Sequence, residues 1–356
     1  MERAVQSEEK VIGCWVGIDV SKDSLDVAVL TLGSDKPVHR KVDNKRSGFE
    51  EMKVFVEELV PLSECHFCME STGPYGRGVA TYLSVKGALV SVENPRFIKY
   101  FAMGKRFQQK TDKADAKIIA SYCKQEAPRP WTPLDPSLRE LDELLKRLKD
   151  IEKLRVQEAN RGESKDLPQS ALDSIARTLA FFKAETKAIQ EGIEATLKKL
   201  PKIREMVDVL VREPGIGELT ALRFLSHVSW TYETFESAQQ CAAAAGYNPK
   251  RRESGTMVGH TRISKHGDAS FRASMHLVAV TATRCNPKVE AFYLKRLEGG
   301  MAKLAAITAC SRKLVMILFG ILKAHAQGRT PVYSAEKPRY LTVTGTQRTF
   351  LKKDAA

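Results

Sequence analysis

The sequence predicts an α/β domain followed by a mostly helical remainder. Three observations carry that reading. Short β-rich apolar runs alternate with helical patterns over residues 11–130. Four prolines, Pro128, Pro130, Pro133 and Pro136, then punctuate a linker. Beyond the linker, apolar residues recur at helical rather than strand spacing almost to residue 330.

In the first part, Val11 to Val20 is apolar and β-rich, Leu25 to Leu32 is a second strand, and Pro37 to Val42 a weaker third. Gly48 to Val60 places Phe49, Met52, Val56 and Leu59 on one helical face. His66 to Glu70 is a short strand that runs into the turn Ser71-Thr72-Gly73-Pro74. Tyr75 to Val85 is helical, Ala88 to Val92 is a strand, and a helix runs from about Thr111 to Cys123. The order suits a mixed sheet with helices packed on it.

After the linker, Ser137-Leu138-Arg139-Glu140 reads as a capping box opening a long helix. Leu141, Leu144, Leu145, Leu148, Ile151 and Leu154 form its apolar face. A break over Gly162 to Pro168 precedes a second long helix, about Ser170 to Leu200. The pair forms either a coiled-coil assembly arm or two core helices of a bundle. Pro214-Gly215-Ile216-Gly217 then precedes the helix Leu219 to Val228. This turn is either a helix-hairpin-helix phosphate contact or a plain capping turn. Phe235 to Ala245 is helical and Gly246 to Gly267 is a loop. Helices follow over Ala269 to Arg284, Lys288 to Leu297 and Met301 to Ala326. The domains expected are thus 1–130, 131–202, 203–330 and a basic tail at 331–356.

Composition bounds the function. The 356 residues are 43% hydrophobic and 28% charged, as in a folded soluble protein. The longest uncharged apolar run near the C-terminus, Leu314 to Leu322, is nine residues. A membrane span needs about 20, so no membrane role is expected. Seven scattered cysteines and no apolar leader suit a reducing cytoplasm. Net charge is +14, and residues 201–356 carry 24 Lys and Arg against 12 Asp and Glu. That asymmetry marks either a phosphate-binding surface or a solubilising one, and nucleic acid is the favoured partner.

Four carboxylates fall on neighbouring elements of the α/β part. Asp19 ends the first strand, Glu70 ends a later one, and Asp112 and Asp115 share one face at the start of a helix. Each alone is an ordinary turn former or helix-terminal acid. Together they present hard oxygen ligands for Mg²⁺, and two such ions can clamp the attacking and leaving oxygens of a phosphodiester. An acidic pocket in a nucleic-acid-binding chain repels its ligand unless cations fill it. In the basic half, Lys250-Arg251-Arg252-Glu253-Ser254-Gly255 sets a serine beside three cations, with His260, Arg262, Lys265, His266 and Arg272 following. A serine there is either a nucleophile toward phosphodiester or part of an ordinary phosphate-binding loop. Cys65-His66-Phe67-Cys68 lies in a strand, lacks a second pair, and reads as core rather than zinc site.

These blocks resemble one family. Gly17-Ile18-Asp19-Val20-Ser21-Lys22, Glu70-Ser71-Thr72-Gly73 and Asp112/Asp115 with Lys110 and Ala116 are similar to the DEDD-type insertion-sequence transposases, the bridge-RNA-guided serine recombinases. Pro214-Gly215-Ile216-Gly217, Ala245-Gly246-Tyr247-Asn248-Pro249, Ser254-Gly255 and Ile263-Ser264-Lys265-His266-Gly267-Asp268 resemble that family's second block. The resemblance spans about residues 11–125 and 205–325. It implies an RNase H-like domain of the Holliday-junction-resolvase type, with Asp19, Glu70, Asp112 and Asp115 holding Mg²⁺. It also implies a helical transposase domain whose Ser254 bonds a DNA 5′-phosphate and leaves a 3′-hydroxyl. A structured bridge RNA would pair with donor and target double-stranded DNA. Homodimers would assemble into a homotetramer through the arm, giving composite sites. Lys110, Lys250, Arg251, Arg252, Arg262, Lys265 and Arg272 would contact nucleic acid. Two alternatives stay open. One is a metal-dependent Holliday-junction-resolving nuclease with no covalent intermediate. The other is a non-catalytic nucleic-acid-binding protein on a nuclease-like fold.

Overall fold

The computed structural model describes residues 12–34, 36–71, 73–105, 111–164, 166–250 and 262–335, with the backbone of 253–254 and 257–258. The chain divides between Leu134 and Asp135 into two compact units.

The first unit is built on a mixed sheet of β1 (Cys14–Val20), β2 (Ser24–Thr31), β3 (Val38–Asp43), β4 (Cys65–Glu70) and β5 (Leu89–Glu93), in the order β3-β2-β1-β4-β5. β1, β2 and β3 meander antiparallel, whereas β4 joins β1 and β5 joins β4 in parallel. This order is consistent with an RNase H-like domain. The helices are α1 (Arg46–Glu57), α2 (Arg77–Val85), α3 (Pro95–Gly104) and α4 (Asp112–Glu126). Sequence reasoning anticipated all of these except α3. Its start is set by Asn94, whose side chain accepts from Arg96 N at 3.0 Å, with Pro95 at the first helical position.

β1 is covered on both faces, as its apolar run requires. Val16 and Ile18 pack with Phe49, Met52 and Val56 of α1 and Val79 and Leu83 of α2. On the other face Trp15 packs with Ile119 and Cys123 of α4. Between them α4 crosses β1 at Gly17. A Cβ there would lie 2.1 Å from the Ala116 carbonyl oxygen and 2.3 Å from the Ala120 nitrogen. This seam of small residues brings the first turn of α4 down onto the strand ends. Cys65 and Cys68 lie buried on opposite faces of β4, with Cys65 Sγ 2.9 Å from Cys14 Sγ and Cys68 beside Cys123. The linker is tied back to the sheet. Ser91 Oγ donates toward the carbonyls of Pro128 (3.0 Å) and Arg129 (2.8 Å), His66 Nε2 lies 2.8 Å from Ser91 Oγ, and Trp131 N donates to Val90 O.

The second unit is helical: α5 (Pro136–Gly162), α6 (Gln169–Lys198), α7 (Pro201–Val211), α8 (Glu218–His227), α9 (Ala238–Ala244), α10 (Ala269–Cys285), α11 (Pro287–Glu298) and α12 (Lys303–Ala326). The cap of α5 corrects one expectation. Asp135, not Ser137, caps the helix, accepting from Ser137 N at 2.8 Å and Leu138 N at 3.4 Å. Pro136 has a fixed φ and no N–H, so it takes the first helical position and leaves the cap to its predecessor. α5 and α6 form an antiparallel hairpin in two zones. At its base Leu141, Leu145, Leu148, Ile151, Ile189, Ile193 and Leu197 enter the same core as the later helices. From Glu152 to Ala188 no described residue is buried. α12 is long and apolar enough to cross a bilayer by length and composition, but Leu314, Val315, Leu318, Phe319 and Leu322 are core residues packed among the other helices.

The α7–α8 turn is held by a buried acid. Glu213 accepts from Asn286 Nδ2 at 2.7 Å and from Ser334 N at 2.9 Å. The expected loop over 246–267 contains paired segments. β6 (Pro249–Lys250) pairs antiparallel with β9 (Arg262–Ile263), and β7 (Glu253–Ser254) with β8 (Met257–Val258).

Candidate active site

The acids of the first unit gather at one edge of the sheet because of register. Asp19 is opposite Asp26 across β1–β2, Asp26 is opposite Lys41 across β2–β3, and Glu70 is opposite Glu93 across β4–β5. Cross-strand partners project to the same face. For β1 that face is the Trp15–Gly17–Asp19 face, which α4 covers. A charged row therefore runs Lys41, Asp26, Asp19, Glu70, Glu93 at the carboxyl ends of the parallel strands. Asp112 and Asp115 lie in the first turn of α4, whose cap Thr111 accepts from Ala114 N at 3.2 Å. All four acids named from the sequence thus belong to one neighbourhood.

Their electrostatics agree. Burial, then the charges of Asp115, Asp112 and Asp26, push Asp19 up to about 6. Glu70 is also raised, by burial and by Asp19 and Asp115. Burial raises Glu93. Asp26 and Glu93 were not anticipated as members of this site. The only advance signal was the hairpin register, since a turn over Ser21–Ser24 sets residue 26 opposite residue 19. Asp26 is the supported member of the row. Its Oδ1 lies 2.8 Å from His39 Nε2 and its Oδ2 lies 3.2 Å from Lys41 Nζ, which is also 4.0 Å from Asp112 Oδ2.

The donor set suits Mg²⁺ in kind. Carboxylate oxygens are its preferred protein ligands, and it keeps water on positions the protein leaves open. Among the described residues no three His, Cys, Asp or Glu side chains are drawn together tightly enough to enclose a metal ion. The grouping is an open one, coupled by charge rather than closed as a cage.

Ser254 belongs to the second unit. Its backbone lies in β7 opposite Met257, while Arg251 and Arg252 fall outside the described residues, as does Lys110 in the first unit. Lys250 and Arg262 face each other across β6–β9, and both are exposed. Lys265 adopts a left-handed backbone (φ 56°) and its N–H donates to Gly246 O at 3.0 Å. Arg272 Nη1 donates to the carbonyls of Gly267 (2.7 Å) and Ala245 (3.1 Å), bracing the base of the ribbon. The backbones meet there closely enough that a Cβ on Gly267 would lie 2.0 Å from Ala244 O.

Comparisons with known proteins cover both units. The DEDD-type transposase model of the IS110 family, described as "Transposase", matches residues 16–165. A second model, "Transposase IS116/IS110/IS902 family", matches residues 207–294. The first holds the acid row and the second holds Ser254. The "Pilin gene-inverting protein" of Moraxella lacunata is 26% identical over 313 residues, covering 87% of this chain and 95% of that protein. Its namesake from Moraxella bovis is 25% identical over the same lengths. The "Insertion element IS900 uncharacterized 42 kDa protein" of Mycobacterium paratuberculosis is 25% identical over 154 residues, 42% of this chain and 39% of its own. Both models name one family, in the order the two units require, and the first two relatives align almost end to end: the chain belongs to the IS110 family of transposases.

Proposed function

We propose that this transposase cuts and rejoins DNA through a phosphoserine intermediate on Ser254, with Asp19, Glu70, Asp112 and Asp115 holding Mg²⁺. The observation that carries the reading is the acid row. An array of coupled carboxylates in a chain with a +14 charge serves DNA only when cations neutralise it. A DEDD-type match is consistent with a divalent metal. Mg²⁺ bound there would lower the charge on a phosphate and polarise it toward attack.

The chain's own groups do the rest. Ser254 Oγ bonds to phosphorus as the bond to the 3′-oxygen breaks, and the net proton transfer is from the serine hydroxyl to the departing 3′-hydroxyl. The ester conserves the phosphodiester bond until another 3′-hydroxyl reverses the step. Inversion of a gene segment, the activity in the Moraxella relatives' name, requires such resealing of every cut strand. Lys250, Arg251, Arg252, Arg262 and Lys265 hold phosphates near the serine, and Lys110 does so near Asp112. Sequence choice is delegated to a bridge RNA that pairs with donor and target DNA, which the basic surplus of residues 201–356 suits. The acids of one subunit serve the serine of another within a tetramer. The outer part of the hairpin supports this, because a stretch with no buried residue among those described over 152–188, and with Leu154, Val156 and Phe181 exposed, suits a partner surface.

The test uses DNA bearing the element ends, with co-purified RNA and Mg²⁺. Ser254→Ala is expected neither to cut nor to join. If it still cuts, leaving free 5′-phosphates, the protein is a metal-dependent junction-resolving nuclease.

A further inference from the structure

The exposed aromatic side chains of the first unit are not scattered. Among its described residues they are Tyr75, Phe97 and Tyr100, at 46%, 57% and 57% exposure. Tyr75 lies in the loop that leaves β4 after Glu70. Phe97 and Tyr100 lie on α3, which leaves β5 after Glu93. All three therefore follow the carboxyl ends of the parallel strands, the edge that bears the acid row and the usual ligand edge of such sheets. Single exposed aromatics are ordinary, but three confined to one edge are not.

The presenting helix is firmly seated. Ile98 is buried, and the Phe101 ring meets Tyr122 edge-on at 5.5 Å and 87°. Phe97 and Tyr100 are three residues apart and share the opposite, outer face. Arg96 and Lys99 are exposed beside them, and neither pairs with a carboxylate among the described residues. The sequence from 94 to 111 contains five Lys and Arg and no Asp or Glu. Exposed rings among cations that no described carboxylate neutralises, next to an acid-rich row, complement a ligand with flat apolar faces and a polyanionic backbone.

We propose that Tyr75, Phe97 and Tyr100 form a stacking edge for unpaired DNA nucleotides beside the scissile phosphate, with Arg96 and Lys99 on the adjoining phosphates. Duplex DNA hides its base faces within the stack, so rings on a rigid helix gain most from bases already unpaired. Strand cutting and exchange produce such bases. Stacking is indifferent to base identity, which suits an enzyme whose sequence choice lies elsewhere. This inference rests on the reading that the acid row faces the scissile phosphate.

The test is fluorescence anisotropy with the full-length protein in Ca²⁺ in place of Mg²⁺, so that the carboxylates are neutralised and binding is read without cleavage. The probes are a fully paired duplex and the same duplex with a short run of unpaired thymines. The Phe97→Ala/Tyr100→Ala protein is expected to lose about tenfold or more in affinity for the unpaired probe, and less than about twofold for the duplex. Phe97→Trp/Tyr100→Phe, which keeps the rings, retains wild-type affinity and controls for folding. A 2-aminopurine in the unpaired run is quenched by wild type and not by the alanine variant. Equal losses on both probes, or no loss, would overturn the proposal. So would a change in sedimentation with DNA affinity intact, which would make this face a contact between copies of the chain. None of these readouts depends on Ser254, so the stacking edge and the phosphoserine chemistry fail separately.

Discussion

Asp19→Asn should stabilise the metal-free protein, although it destroys the candidate site. Asp19 ordinarily ionises at 3.8, and in the fold it is pushed up to about 6 by burial and by Asp115, Asp112 and Asp26. The folded state therefore keeps a proton that the unfolded chain releases near 3.8. Stability falls as pH rises from about 4 to about 6, and the loss persists above 6. At about 1.4 kcal/mol per tenfold change the full effect is roughly 3 kcal/mol, and partial exposure reduces it to about 1–2 kcal/mol. Asparagine removes the charge and can still accept the Val20 N–H. Hydrogen exchange of the β1 and β4 amides reads the stability of this unit directly. In EDTA at pH 7.5 the variant should be more protected by about 1–2 kcal/mol, and the gap should close below pH 4. Adding Mg²⁺ at roughly a hundred times Kd should reverse the order, because only wild type gains binding free energy, about 2.7 kcal/mol. A variant that is neutral or less stable in EDTA, or an equal Mg²⁺ gain in both proteins, would refute the reasoning.

Three further outcomes follow from the packing. Gly17→Ala forces a methyl against the α4 backbone and should cost about 1–3 kcal/mol by thermal unfolding, with loss of the Mg²⁺-dependent gain. Burial holds His66 down at about 4 against its ordinary 6.5, so its contribution is complete above pH 6.5 and is lost as pH falls toward 4. The loss approaches about 2–3 kcal/mol, and His66→Asn should flatten that limb of a denaturant–pH series. Leu154→Asp with Phe181→Asp should shift sedimentation toward smaller species at unchanged helicity, and an unchanged sedimentation profile would remove the hairpin from assembly.

The sequence disclosed what is local. Strands, helix faces and the linker declare themselves through periodicity, and Asp19, Glu70, Asp112 and Asp115 through their place at element ends. What stayed hidden is relational. Asp26 and Glu93 join the row only through strand register, which one residue of slip would reverse. α3 was missed because its Phe97 and Tyr100 face outward, so its apolar residues do not form a single buried stripe. The paired segments flanking Ser254 hold two residues each, too few to show alternation. The base of the α5–α6 hairpin looks from periodicity like the rest of it. Only the core shared with α7–α12 separates a buried base from an exposed outer part.

The proposed chemistry turns on a covalent bond to one residue. Wild-type protein would be mixed with its co-purified RNA, Mg²⁺ and DNA carrying the element ends, denatured, and digested with protease and nuclease. The nucleotide-bearing peptide would then be sequenced by mass spectrometry. A 5′-phosphonucleotide on Ser254, absent from Ser254→Ala, is the predicted result. Cut DNA with free 5′-phosphates and no modified peptide would contradict it.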